Sequence, residues 1–523
     1  MRKQTKLVAV LSAAALLAMG ASMTSFAAGW QKDDAGVWHY YDSDDEMVTG
    51  EWKKDGGKWF YLDDDGDMLT DAWVDDDYYV GEDGAMLTNA WHYGLSDDDQ
   101  DDPDDDGEHW YFFNNKGKKV VDQDKKINGK TYLFNTDGEM LYGWQQVGDG
   151  VYYFGEENDG ARTESKWLWL EKSGMLDEDD DQDPVLGCDE NDDCDDEGWY
   201  WFASSGKMYK DSDKKKINGK YYMFNEHGQM LYEWINDGVI GVVGSNAQLD
   251  GVATAGSAAI SDMKYYEEVE DGSRVTGWKK IDGSADVGTD DDTDWYYFKD
   301  GKAKKADTSK DRVAPSLVDG DRKPVYVARI KVEGKYFAFN EKGQMQDGLQ
   351  YIAQDNAFYY YDENGYEKTG KISAVECEDD DYAFYFTTKN GKNGQGYTGE
   401  KDGYLYFGGK RLEADDDYRL YYVEGKVYLV NTKGKVQKSS KKYDVENAGF
   451  DAEVYVEINK NSKTVAKVGS KNLADLTINY ADTTNTSKVM ENNGDVSVPF
   501  IQLYDDNLYT YISAGNKGWT AKN

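Results

Sequence analysis

The sequence is short of proline, histidine and cysteine, with 5, 4 and 3 of them among 523 residues. So few cysteines cannot make the disulfide framework of a small secreted domain. Cys188 and Cys194 share an acidic loop and are spaced for one bridge outside the cell, which leaves Cys377 over. No second Cys or His pair stands near either, so no zinc site is expected. His39, His92, His109 and His227 all fall inside repeated segments, so a Ser–His or Cys–His pair would have to be built on the repeats. There is no G-x-S-x-G, no H-E-x-x-H and no P-loop. Cations are also scarce: 59 Lys and Arg face 102 Asp and Glu, a net charge of −43. That charge opposes non-specific binding to nucleic acid or anionic lipid, and it is compatible with cationic groups or divalent cations as partners. The one apolar run, residues 7–19, follows Arg2, Lys3 and Lys6 and precedes Ser25-Phe26-Ala27. This is the pattern of a secretory signal, and it is too short to favour a membrane span. The end, NKGWTAKN, is polar. The expectation is a signal peptide over 1–27 and a secreted chain held at the cell surface, if at all, without a covalent anchor.

Aromatic residues and glycine are plentiful instead: 42 Tyr, 16 Trp and 55 Gly. Residues 50–91, GEWKKDGGKWFYLDDDGDMLTDAWVDDDYYVGEDGAMLTNAW, say one short sentence twice. A Trp opens it; then come a polar turn, an aromatic cluster, an acidic Gly turn and a Met. Alternating aromatics between Gly/Asp turns predict β-hairpins, with Trp59 and Tyr61 on one face and Phe60 on the other. A lone hairpin of this size is marginal, so copies must stack to bury their aromatic faces. The opening residues Trp30, Trp52, Trp73 and Trp91 recur about every 20 residues.

A larger unit begins beyond Trp91. Residues 109–144, HWYFFNNKGKKVVDQDKKINGKTYLFNTDGEMLYGW, return at 198–234 and, more loosely, twice again. The leading residues Trp110, Trp199, Trp295 and Ala383 lie about 90 residues apart. Acidic runs precede each lead at the same register, which maps them to loops on one side of the stack. One of them, Asp102-Pro103-Asp104-Asp105-Asp106-Gly107, has part of the spacing of a calcium loop, but Phe113 stands where the closing Glu belongs. Residues 236–260 read as an inserted loop. The opening Trp is missing after Val436, so the array is expected over 28–440 and a small β domain or cap over 441–523. The fold expected is all-β: a solenoid of stacked β-hairpin repeats.

The pattern Glu51-Trp52 through Trp59-Phe60-Tyr61, Gly66-Asp67-Met68 and Trp73 resembles the cell-wall-binding repeats of the choline-binding family. Tyr142-Gly143-Trp144-Gln145 and Thr276-Gly277-Trp278 carry it too, and the likeness extends over about 28–436. The resemblance implies a secreted or surface protein held to choline-bearing teichoic acid or to glycans. It also implies an aromatic cage of Trp52, Trp59 and Tyr61, with Met68 nearby and Trp73 from the next copy. The same slots in the first copy are Trp30, Trp38, Tyr40 and Met47. The third copy supplies Tyr79 and Met86, with Trp91 beyond it, but Asp77 stands in its Trp59 slot. A trimethylammonium group donates no hydrogen bond, and several ring faces hold it at ~0.5–2 kcal/mol each. Leu133, Met223 and Ala338 replace Tyr61 further on, so intact cages are expected only near the N-terminus. Sugar rings stacking on Tyr and Trp are the alternative ligand, since incomplete cages suit them better. No catalytic residue, no resident metal and no cofactor are expected. The rival reading is a structural or adhesive scaffold that presents residues 441–523 and has no wall ligand of its own.

Overall fold

The computed structural model describes residues 29–97, 107–171, 195–210, 212–236, 260–261, 263–283, 287–289, 292–307, 314–315, 324–352, 354–355, 357–377, 380–389, 393–446, 448–476 and 478–480, together with 509–511 and 519–521. The signal peptide, Cys188 and Cys194, the acidic loop at 102–106 and most of the insert at 236–260 lie outside the described residues. Strands make nearly all of the regular structure, as short, mostly antiparallel sheets of two or three strands, with one of five. The chain divides into two compact units, 1–166 with 202–207 and 167–201 with 208–523. No helix among the described residues is long and apolar enough to cross a membrane.

The second hairpin shows why the sequence folds this way. Strands Glu51–Asp55 and Lys58–Leu62 pair with Trp52 opposite Tyr61 and Lys54 opposite Trp59. Gly56 and Gly57 join them with φ of 53° and 85°, the left-handed pair that a two-residue hairpin turn needs. Asn128-Gly129 and Asn218-Gly219 repeat that turn. The acidic turn is built by its first carboxylate. Asp63 Oδ1 accepts the N–H groups of Asp65 and Asp67 at 3.0 and 2.8 Å. Asn135 accepts from Asp137 and Glu139 in the same way. These side chains replace hydrogen bonds that no strand supplies. After the turn, Leu62 bridges Met68, a one-residue third strand that lengthens to two residues at Met140–Leu141 and Met230–Leu231.

In unit 1 that third strand joins each hairpin to the one before. Met68 N–H donates to Trp38 O, Met86 to Trp59 O, Lys119 to Asp77 O and Arg162 to Thr131 O, at 2.7–2.8 Å. The methionine side chain also packs against the turn of the following hairpin. A Cβ on Gly84 would come within 2.6 Å of Met68 Cε and 3.3 Å of Leu69 O, and Gly84 has φ +75°. Gly84→Ala is therefore expected to lower stability by about 2 kcal/mol, from left-handed strain plus crowding. A urea midpoint within error of the parent would show that the two hairpins separate more easily than this packing implies.

Unit 2 repeats the plan from the hairpin Lys166–Glu171 and Glu197–Phe202 to the one at Tyr418–Val423 and Lys426–Asn431. The residues after the array are not set apart from it. Tyr443, Val445, Val454, Val456, Ile458, Val465 and Val468 share one apolar core with Leu420 and Leu429 of that last hairpin. A strand at Asn479–Tyr480 adds parallel to Tyr421 and Tyr422. The segment buries a sheet face and an edge that would otherwise face water.

Candidate ligand-binding site

Each of the first four hairpins has a front face carrying its opening tryptophan, and the back of the next hairpin packs against it. In the first hairpin, Gly29–Lys32 with Trp38–Tyr41, Trp30 lies opposite Tyr40, and the rings meet edge to face at 5.3 Å. Phe60, on the back of the second hairpin, meets Trp30 at 5.1 Å. In the second hairpin Trp52 meets Tyr61 at 5.2 Å, and Tyr78 of the third hairpin meets Trp52 at 5.5 Å. Strand alternation puts Trp38 beside Tyr40 and Trp59 beside Tyr61 on these front faces. Trp59 is 39% exposed, so its ring is offered to solvent. The rings already draw ammonium groups: Lys32 and Lys54 Nζ stand 5.5 Å from the Trp38 and Trp59 centroids, and Lys53 Nζ 5.8 Å from Tyr40. Two edge-to-face pairs thus stand near the N-terminus, Trp30–Tyr40 with Trp38 on the same face and Trp52–Tyr61 with Trp59 on the same face.

The companions of the second cluster differ from those the repeat pattern suggests. The methionine whose backbone bonds Trp59 is Met86, from the third hairpin. Met68 and the exposed Met47 lie one turn earlier, against Gly84 and Gly66. Trp73 turns toward the fourth hairpin, Ala90–Gly94 with His109–Phe113, where its ring meets Tyr111 at 5.0 Å and Phe113 at 5.5 Å. Trp73 and Tyr79 are only 5% and 4% exposed, and the His92 imidazole stacks on Tyr79 at 3.8 Å. Burial holds His92 below its ordinary pKa, against the pull of Asp71, and so favours its neutral form. Burial, with the Tyr79 O–H donating to Asp71 Oδ1 at 2.7 Å, pushes the Tyr79 phenol well above its usual range. The third hairpin is therefore packed shut where the first two are open.

The expectation that intact clusters stop near the N-terminus is corrected. Trp91 and Trp110 meet at 6.2 Å and 87°, with Phe112 at 5.1 Å from Trp91. Trp278 and Trp295 meet at 6.5 Å and 81°, with Tyr297 at 5.2 Å from Trp278. Trp167 meets Trp201 at 5.3 Å, and Trp199 lies two residues before Trp201 on the same face. Their signal was present in HWYFF, GWYWF and DWYYF, where a Trp stands two residues before the ring paired with the opening Trp. The slots at Leu133, Met223 and Ala338 belong to the other hairpins of each unit. Among the described residues no group of three or more His, Cys, Asp or Glu is placed to hold a metal ion.

Family models agree with the repeat register. A choline-binding repeat model matches residues 46–85, a second matches 124–167, and a putative cell wall binding repeat model matches 28–44, 105–119 and 194–208. No curated protein matches the chain. Among solved structures it is similar to the modular autolysin LytC from Streptococcus pneumoniae, at 18% identity and TM-score 0.34, over 66% of this chain. That match spans 52% of LytC, about half its length. It is also similar to choline binding protein F of the same organism, at 19% identity and TM-score 0.28, over 68% of this chain and 99% of that one. A third is the choline-binding domain of CbpL, again from Streptococcus pneumoniae, at 23% identity and TM-score 0.25, over 39% of this chain and 97% of that one.

Proposed function

We propose that this chain, which carries choline-binding and putative cell wall binding repeats, is a secreted, non-catalytic protein held to the cell envelope by several aromatic seats for choline-type cations. The observation that carries this is the Trp52–Trp59–Tyr61 cluster, two cross-strand rings at 5.2 Å and 62° beside an exposed indole. Quaternary ammonium groups are bound by such faces through charge–quadrupole attraction, without proton transfer or bond making. Each seat is weak alone. Several seats on one chain raise retention through effective concentration when the wall polymer repeats its ligand. The net charge of −43 adds long-range attraction for cationic groups and discourages adhesion to anionic lipid.

The test is binding of the full chain to isolated cell walls, followed by elution with free choline and, separately, with soluble glucan. Release by choline is the expected result. Trp59→Ala removes one exposed ring and little core, so choline affinity at that seat is expected to fall about 2–30-fold, from ~0.5–2 kcal/mol per ring contact. Release by glucan alone would move the ligand class to sugars. The exposed Trp169 and Trp295 favour that second reading, since flat, open indoles stack on pyranose rings. Failure to bind walls at all would leave the array as a scaffold.

A further inference from the structure

The seats between hairpins differ in what caps them, and one cation–ring contact and two ion pairs reveal the register. Lys119, in the methionine position of the fourth hairpin, carries its Nζ 5.0 Å from the centroid of Trp73, the opening residue of the third. Arg162, in the methionine position of the sixth hairpin (Trp144–Val147 with Gly150–Tyr153), binds Glu164 at 2.7 Å and lies 3.8 Å from Asp124, the opening residue of the fifth (Gln123–Ile127 with Lys130–Phe134). Glu367 holds Arg329 Nε and Nη2 at 2.5 and 3.0 Å, and Arg329 is the residue opposite Ala338, again an opening position. So the opening residue of one hairpin faces the methionine position of the next. Where the opening residue belongs to a complete aromatic cluster, that position holds a methionine. Met140 packs in one core with Trp91, Met230 with Trp167 and Met345 with Trp278. By the same register Met68 serves Trp30 and Met86 serves Trp52.

Lys119 departs from this in an instructive way. Trp73 is present and aromatic, yet a lysine has taken the place of methionine. Its side chain is 4% exposed, and its Nζ donates to Asp76 Oδ1 at 2.5 Å. The same ammonium stands 5.8 Å from the Tyr111 ring. Asp75 and Asp76 both have φ of 55°, the tight-turn geometry that brings the carboxylate to the seat. Asp77, which replaces the wall tryptophan, pairs with Lys118 at 2.9 Å. An ammonium enclosed by an indole, a phenol ring and a carboxylate is what a bound organic cation would present.

The geometry points to Lys119 as an internal ligand: its ammonium fills the cation seat of the third hairpin, and the residue in the methionine position decides whether each seat is open to an outside cation. Asp124 with Arg162 and Arg329 with Glu367 close two further seats by replacing ring and methionine together with opposite charges. A buried aliphatic stem ending in a paired ammonium has the reach and charge to displace a soluble ion permanently, because it loses no translational entropy on each occupation. The number of ligand equivalents is then set by the clusters capped with methionine and not by the number of repeats.

Lys119→Ala in the full chain tests this, since the deletion leaves a vacancy the size of propylammonium. The variant is expected to melt below the parent, and propylammonium chloride is expected to restore at least half of the loss. 1-Propanol at equal concentration should not, and neither should move the parent. Equal rescue by the alcohol, or no rescue by the ammonium, overturns the proposal. Should Lys119→Ala fail to fold, Lys119→Met keeps the side-chain volume and removes the charge, and titration with choline is expected to find one more equivalent than in the parent. An unchanged count overturns the proposal. The choline arm rests on the function proposed above, whereas the propylammonium arm does not. A parent that binds no choline while Lys119→Ala is rescued would sink the wall-ligand reading and keep the internal ligand.

Discussion

Trp73→Ala is expected to cost about 3–5 kcal/mol, the range for removing a fully packed large aromatic. The ring is 5% exposed, lies in one core with Tyr79, Tyr111 and Phe113, and donates its indole N–H to Leu95 O at 2.9 Å. Its loss would leave a cavity, an unpaired carbonyl and the Lys119 ammonium without its main ring. Because each hairpin leans mostly on its neighbours, the damage should be local. Hydrogen exchange is therefore expected to accelerate in the third and fourth hairpins and to change little in unit 2. Trp59→Ala is the contrast, with near-parental exchange and weakened ligand binding. Should Trp73→Ala leave exchange unchanged, the tight packing of the third hairpin would be the error.

Glu367→Ala is the second large effect, at about 3 kcal/mol. Arg329 and Glu367 side chains are 17% and 9% exposed, and the guanidinium lies 3.5 Å from the Tyr336 centroid and 4.7 Å from that of Tyr359. Burial works against the Arg329 charge, and Glu367 more than offsets it, so the guanidinium is held firmly protonated. Removing the carboxylate strands a charge among rings, which typically costs 3–5 kcal/mol in full burial and is taken at the low end for this partly wetted pair. Replacing both partners is different. Arg329→Leu with Glu367→Met removes both desolvation penalties and is expected to lie within about 1 kcal/mol of the parent. A double variant as unstable as Glu367→Ala in a denaturant titration would show that the pair contributes more than apolar packing can replace.

Both experiments bear on how the repeats diverged. A seat has to be filled. A methionine with an aromatic cluster leaves it to an outside cation; an internal lysine or an ion pair closes it. The about 90-residue unit contains both kinds of seat. The closed seats keep neighbouring hairpins in register where no ligand helps.

Hairpins, turns and opening tryptophans were legible because their causes are local. Gly56-Gly57 and Asn128-Gly129 announce left-handed turns, and Asp63 and Asn135 announce side-chain-closed ones. Strand alternation put Trp59 and Tyr61 on one face and Phe60 on the other, as the edge-to-face meeting of Phe60 with Trp30 requires. What lies between hairpins was not legible. The partner of Trp52 is Tyr78, the cation on Trp73 is Lys119, and Trp73 serves the fourth hairpin. None of these follows from a repeat read by itself, because the side chain filling a seat comes from a neighbour about 25–70 residues away, at a register marked by backbone hydrogen bonds between hairpins. The repeat pattern dictates that aromatic seats exist. Stacking decides which of them hold a ring face open to solvent and which the chain closes with its own charge, since burial and pairing depend on what packs opposite and not on the residue alone.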